Sequence, residues 1–244
     1  MDVTSSTNTR TVIAAVTPLA PKGHKVPALI TRYSPLLLCS VPDSFCFDFV
    51  VRRLFGGLSL TFSSLEEARL PSASGGIIES RVASLAGGLA MVSTCFAQDW
   101  LESDRGIREK PWRLHWGITR SQRLKSRVEL DATVALAFGI ESDDAQHVFA
   151  GCFSERPDGL DSKGFWRVDQ QLPIEERQTV LTLGAISILG AEVRSVGKNV
   201  DRAHPRRLQS SAEALWQFYA RASELQPGLA NGHGVRPADY GPDW

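Results

Sequence analysis

Two adjacent arginines, Arg52-Arg53, stand just before a glycine pair, Gly56-Gly57. An arginine can clamp a phosphate or read a guanine edge, and glycine lets a backbone approach a phosphate closely. The plainer reading of the same residues is a helix end carrying two solvated cations. Lys22, His24 and Lys25 crowd a second short loop, PLAPKGHK at 18–25, which suits either a DNA contact or a polar turn. Lys22, His24, Lys25, Arg52, Arg53, Gly56 and Gly57 therefore form the candidate DNA-contacting set. Arg120, Arg123 and Arg127 recur at spacings of three and four and make a basic stripe on a helix. Such a stripe reads as a solvated face or a partner contact.

Other chemistry is weaker. Pro157-Asp158 and Asp161-Ser162-Lys163 have the residue types of metal-dependent nucleases, in which two acids share a Mg²⁺ and a lysine polarises water. Only Gly159 and Leu160 separate the two elements, too few for paired neighbouring strands, so a solvated loop is the simpler reading. His24, His115, His147, His204 and His233 show no metal-ligand spacing, and no two cysteines are two residues apart. No nucleophile elbow occurs. No metal and no cofactor is expected.

The elements that would position these residues follow from pattern. Residues 1–10 are expected to fray. Thr11 to Val16, Ala28 to Ile30 and Leu36 to Val41 read as strands. Asp43 or Ser44 can cap a helix whose apolar face is Phe45, Phe49, Val50 and Leu54 and whose last turn holds Arg52 and Arg53. Gly56-Gly57 then turns the chain into an alternating strand, Leu58, Leu60 and Phe62. Pro71 to Gly76 fits a linker. Beyond it, Ile77 to Trp100 suits a helix, with Val82, Leu85, Leu89 and Val92 as its stripe and Gly87-Gly88 as its weak point. Thr119 and Gln122 can form a capping box ahead of a helix through Leu124, Val128, Ala135 and Phe138 that stops at Gly139. Residues 153–170 read as loop. Pro173 would start a helix running through Val180, Leu181, Ile188 and Leu189 to Gly190, and Ser210-x-x-Glu213 a last one. The expected fold is thus α/β over residues 1–72, a linker at 73–76, a mainly helical part over 77–225 and a flexible tail at 226–244.

Three strings carry a resemblance. Thr7-Asn8-Thr9-Arg10-Thr11-Val12-Ile13-Ala14-Ala15-Val16-Thr17-Pro18 leads to Gly23-His24. The second runs from Ser44-Phe45-Cys46-Phe47-Asp48-Phe49-Val50-Val51-Arg52-Arg53 to Gly56-Gly57-Leu58. The third joins Arg127-Val128-Glu129-Leu130-Asp131-Ala132 to Phe138-Gly139-Ile140. They resemble strings in the C-terminal target-recognition and helical region of the adenine methyltransferases of bacterial phage-defence systems of the DISARM and BREX kind, and of type IIG restriction–modification enzymes. The patterns there are "T-x-x-R-T-x-I-A-A-V-x-P", "S-F-x-x-D-Y-V-x-R-Q-K-V-G-G-T-x-L" and "R-x-E-L-D-A … Y-G-I". This chain departs from the second at Leu58, which replaces Thr, and at Arg53-Leu54, which replace Gln-Lys. The resemblance implies a stand-alone fragment of a recognition region. The glycine-rich methyl-donor turn and the N-P-P-Y-like string of an amino-methylating enzyme do not occur in the sequence.

Composition sets the remaining bounds. Of 244 residues 43% are hydrophobic, enough for a buried core, and Lys+Arg equals Asp+Glu at 27 each. Zero net charge argues against a non-specific nucleic-acid coat but leaves room for one local basic face. Cys39, Cys46, Cys95 and Cys152 are scattered among apolar neighbours and read as thiols of a cytoplasmic protein. The function expected from these readings is an accessory DNA-recognition or scaffolding subunit of a phage-defence or restriction–modification system. It would be non-catalytic alone, with double-stranded DNA and a methyltransferase, helicase or nuclease subunit as partners. A pure protein–protein interaction module without DNA contact is the alternative, and a metal-dependent nuclease built on Asp158, Asp161 and Lys163 the weaker one.

Overall fold

The computed structural model describes residues 8–18, 20–23, 26, 28–54, 60, 62–71, 77–102, 115–150, 164–173 and 176–195. The helix expected after Ser44 is present as Phe45–Leu54 (α2), preceded by Pro35–Ser40 (α1) and followed by Phe62–Glu67 (α3). Then come Ile77–Ala90 (α4), Ala97–Glu102 (α5), Arg120–Ala137 (α6), Ser142–Ala150 (α7) and Gln178–Ser195 (α8). Single 3₁₀ turns lie at Thr94–Phe96 and Phe165–Val168. Helix α6 is the axis of the packing. It lies against α4 on one side and α8 on the other; α1 packs on α4, and α7 on α8.

The α/β expectation for the first part is overturned: among the described residues every regular element is a helix. The causes differ from place to place. Leu36 to Val41 is apolar enough for a strand, but Pro35 sits at the first helical position with φ already suited to it, and Ser34 Oγ accepts the Leu37 N–H at 3.4 Å. The run becomes α1. Thr11 to Val16 meets no strand among the described residues; the N–H groups of Thr11, Val12 and Ala14 are taken instead by side-chain carboxylates of α2 and the turn before it. Buried amides need partners, and these need no sheet. Ala28 to Ile30 is exposed and irregular. Phe62, placed in a strand by alternation, begins α3; residues 56–59 and 61 lie outside the described residues.

Helix α2 corrects the expected face as well. Phe45, Cys46, Phe47, Asp48 and Val51 are buried, Phe49 and Val50 are half-buried, and Leu54 is exposed. A single stripe was expected, yet α2 is wedged between two apolar clusters. Phe45 and Cys46 join Val128, Phe149, Phe165, Leu181 and Ile186 in one. Phe47 and Val51 join Val12, Leu36, Val82, Ala86 and Val134 in the other. Helix α6 serves both, with Val128 and Ala132 on one side and Leu130 and Val134 on the other. The second cluster draws residues from both sides of the 73–76 segment.

The local signals for α6 hold. Thr119 and Gln122 form the reciprocal capping box, and Gly139, at φ +74°, takes the left-handed turn that closes the helix. Helix α4 ends at Ala90, short of the expected Trp100, with Val82 and Ala86 buried. Its Gly87-Gly88 pair lies within the helix for a steric reason. Residues 115–117 cross there at backbone distance, Gly117 N–H donates to Gly88 O at 2.8 Å, and a Cβ on Gly88 would meet His115 O at 2.4 Å. Arg123 Nη1 fastens the crossing by donating to Leu89 O and Gly117 O, both at 3.1 Å. Helix α8 begins at Gln178 rather than Pro173. Asp169 sets its start, accepting the Thr179 N–H at 2.9 Å and the Thr179 hydroxyl at 2.7 Å. The helix expected from Ser210, and the tail, lie outside the described residues.

Candidate functional site

The feature of the fold with the densest polar chemistry is a clasp at the N-terminal end of α2. It starts from an irregular strap, residues 8–14, that needs partners for its amides. Asp48, one turn into α2, accepts the Thr11 N–H at 2.8 Å and the Val12 N–H at 3.0 Å on one carboxylate oxygen. Its other oxygen accepts Arg52 Nε at 2.8 Å, the next turn along the same helix. Asp43, in the turn before α2, accepts the Ala14 N–H at 2.8 Å. Arg10 answers from the strap. Its Nε donates to Asp43 O at 3.0 Å and its Nη2 lies 3.5 Å from Asp131 of α6.

Asp131 closes the assembly from a distance in sequence. One of its oxygens accepts the Phe45 N–H, the first amide of α2, at 3.0 Å; the other accepts Gln178 Nε2 at 2.6 Å. It therefore joins α2, α6, α8 and the strap. The guanidinium groups also lie on rings. Arg10 stands 3.5 Å from the Phe45 centroid and Arg52 4.1 Å from the Phe165 centroid, and the two rings meet edge to face.

The electrostatics follow from burial. Asp43, Asp48 and Asp131 face Arg10 and Arg52, and Arg127 of α6 acts on Asp131 as well, so three carboxylates meet three guanidiniums. Burial pushes the Asp43 carboxyl up to about 6, against the Ala14 amide and the Arg10 charge, which pull it down. Burial likewise raises Asp131, with Arg10 opposing. Burial lowers Arg52, and Asp48 counters that. Burial first, then the charge of Asp43, pushes the Cys39 thiol up to about 12; its Sγ lies 3.8 Å from Asp43 Oδ2. A thiol so raised stays protonated and is a poor nucleophile. The arrangement binds backbone and orients helices. Below about pH 6 Asp43 keeps a proton there.

The candidate DNA-contacting residues fall differently. Arg52 belongs to the clasp: beyond Asp48 it donates to Asn8 O at 2.7 Å, and its side chain is only 10% exposed. Arg53, its neighbour, is exposed, with its guanidinium 4.9 Å from the Phe49 ring centroid. Lys22 is exposed and donates to Pro18 O at 3.1 Å. His24, Lys25, Gly56 and Gly57 lie outside the described residues, as do Asp158, Asp161 and Lys163. The basic stripe of α6 is engaged within the fold: Arg120 pairs with Glu176 at 2.5 Å, and Arg123 holds the Gly88 crossing. Among the described residues no group of three His, Cys, Asp or Glu side chains is placed to hold a metal, and no helix is long and apolar enough to cross a membrane.

Sequence reasoning passed over Arg10, Asp48 and Asp131 as site residues, although each lies in one of the three resemblance strings. A signal was present. Asp48 sits between Phe47 and Phe49, and Asp131 between Leu130 and Ala132, in the middle of helices. A carboxylate at such a position must find partners or go unpaid for its desolvation. No protein-family model, no curated protein and no solved structure matches the chain.

Proposed function

We propose that this chain is a non-catalytic accessory subunit of a bacterial phage-defence or restriction–modification system, acting as a scaffold for a methyltransferase, helicase or nuclease partner. One observation supports this reading above the others. Arg10, Asp48 with Arg52, and Asp131 come from three strings far apart in sequence, and they meet in one clasp. The positions that carry the resemblance to the methyltransferase recognition region are thus among the ones that hold helices and strap together. A shared framework is what a stand-alone copy of that region would keep.

A second reading keeps contact with double-stranded DNA. Arg53 and Lys22 favour it, being exposed cations, whereas Arg52 is occupied by Asp48 and the strap. The two are separated by fluorescence anisotropy with duplex DNA at several salt concentrations, beside a binding titration against any methyltransferase, helicase or nuclease encoded next to this chain. The scaffold reading expects saturable association with one of those proteins and no salt-dependent DNA binding by the isolated chain. DNA binding whose log–log salt slope falls by about two units on joint Lys22→Ala and Arg53→Ala substitution would establish the second reading instead. Methyl transfer or Mg²⁺-dependent cleavage by the isolated chain, lost on Asp161→Ala, would overturn both.

A further inference from the structure

The clasp has a property that its role as a tie does not require: one side of it is a ligand. Strip away residues 8–14, and what remains on α2, α6 and the turn before α2 is Asp43, Asp48 and Asp131 against the two cations Arg52 and Arg127, one positive charge short. The strap supplies the missing charge through Arg10 and the missing donors through the N–H groups of Thr11, Val12 and Ala14. It also supplies Val12, buried at 6% exposure among Leu36, Phe47 and Val51. This is recognition of an extended cationic peptide by an anionic site with an apolar slot.

We propose that the clasp is an exchangeable peptide site, which holds residues 10–14 of its own chain in the monomer and takes the same residues of a second copy in a strap-swapped dimer. Three observations carry it. The contacts are the same whichever copy donates the strap, so swapping forfeits none of them. Residues 17–34 join the strap to α1 with no described residue in helix or strand. Such a connector spans roughly 60 Å when extended, at about 3.3–3.6 Å per residue, enough to reach a neighbouring molecule. Finally, the strap and connector expose large apolar side chains: Ile13 is 81%, Leu29 76%, Ile30 87% and Tyr33 76% exposed. Two connectors crossing in a two-fold arrangement can cover these residues on each other, which the monomer leaves in water. The monomer keeps the advantage of a tethered ligand, an effective concentration on the order of millimolar. The swap is accordingly concentration-dependent. This inference is independent of the methyltransferase-scaffold reading, since it concerns two copies of this chain.

The test uses the full chain. Light scattering behind size exclusion, from micromolar to near-millimolar protein, is expected to show a dimer fraction that rises with concentration. Copies labelled separately with donor and acceptor dyes should form mixed dimers showing energy transfer. Excess unlabelled peptide of residues 7–17, which fills the clasp in place of either copy's strap, should lower the dimer fraction. A labelled peptide of residues 7–17 should bind the Arg10→Gln chain, whose own strap holds less well, about tenfold more tightly than the same peptide carrying Arg10→Glu. A protein that stays monomeric throughout and captures no peptide overturns the proposal. So does a dimer that excess 7–17 peptide leaves unchanged, because it is then built on another surface. If Arg10→Gln fails to fold, the mixed-dimer measurement on the wild-type chain decides: energy transfer abolished by excess unlabelled 7–17 peptide supports the swap, and transfer that the peptide leaves unchanged sinks it.

Discussion

Two places in this molecule hold irregular chain against a helix, and they do so by opposite means. At the strap clasp the joint is made of charge: Asp48 takes the Thr11 and Val12 amides, Asp43 takes that of Ala14, and Arg10 and Asp131 lock the end. At the Gly88 crossing the joint is made by the absence of a side chain, so that Gly117 N–H reaches Gly88 O directly. The first answers to pH and to charge-altering substitutions. The second answers first to volume, with Arg123 fastening it from α6 and no carboxylate taking part in the bonds described. The comparison teaches that a buried tie can be adjustable or rigid according to whether ionisable groups make it.

Asp131→Ala is the sharpest way to break the charged joint, since it strips a partner from Phe45, Arg10 and Gln178 at once. A loss on the order of 3–5 kcal/mol is expected in urea unfolding. A loss below 1 kcal/mol would mean that Asp131 is not shared among these groups. Next is Arg52→Ala, expected to cost about 2–3 kcal/mol by leaving Asp48, fully buried, without its cation. Gly88→Ala tests the steric joint. The added Cβ would lie 2.4 Å from a backbone oxygen, which cannot swing aside as a flexible side chain would. About 1–3 kcal/mol of overpacking is expected, with no change in pH dependence. An unaffected Gly88→Ala protein would show that residues 115–117 do not cross there.

A pH titration separates the two joints directly. Asp43 is raised by burial from 3.8 to about 6, so between those values the folded state holds a proton that the unfolded chain has lost. Its contribution is therefore full below about pH 4 and lost as the pH rises through about 6. Arg10, Cys39 and Asp131 face it, with Asp48 and Arg52 behind; Asp131 and Asp169 are raised by burial too and act in the same direction. The melting temperature is expected to fall by on the order of 5 °C between pH 5 and 7.5. Asp43→Asn should flatten part of that slope, whereas Gly88→Ala should leave it parallel to wild type. A melting temperature that climbs over the same range would contradict the buried-acid account of the clasp. The smallest effect is reserved for Arg53→Ala, which should stay within about 0.5 kcal/mol because the side chain is exposed. Were Arg53→Ala as damaging as Arg52→Ala, the contrast between the neighbouring arginines would collapse.

What the sequence by itself determined was local. The capping box of Thr119 and Gln122, the stop at Gly139 and the helix after Ser44 were all legible, because each depends on residues within a turn of one another. The strings that hold Arg10, Asp48 and Asp131 could be seen, but not their use. What the tertiary structure decided was every matter of partnership. An extended run such as Thr11 to Val16 looks the same whether its amides meet a strand or a carboxylate, and here the carboxylates lie 29 to 37 residues further on. Asp131 serves a helix that begins 86 residues earlier, for which no local pattern exists. Helix α2 was given a single buried face by its periodicity, yet packing on two sides buried Phe47 and Val51 as well. Hydrophobic spacing reports how a segment meets one surface, and only assembly settles how many surfaces there are.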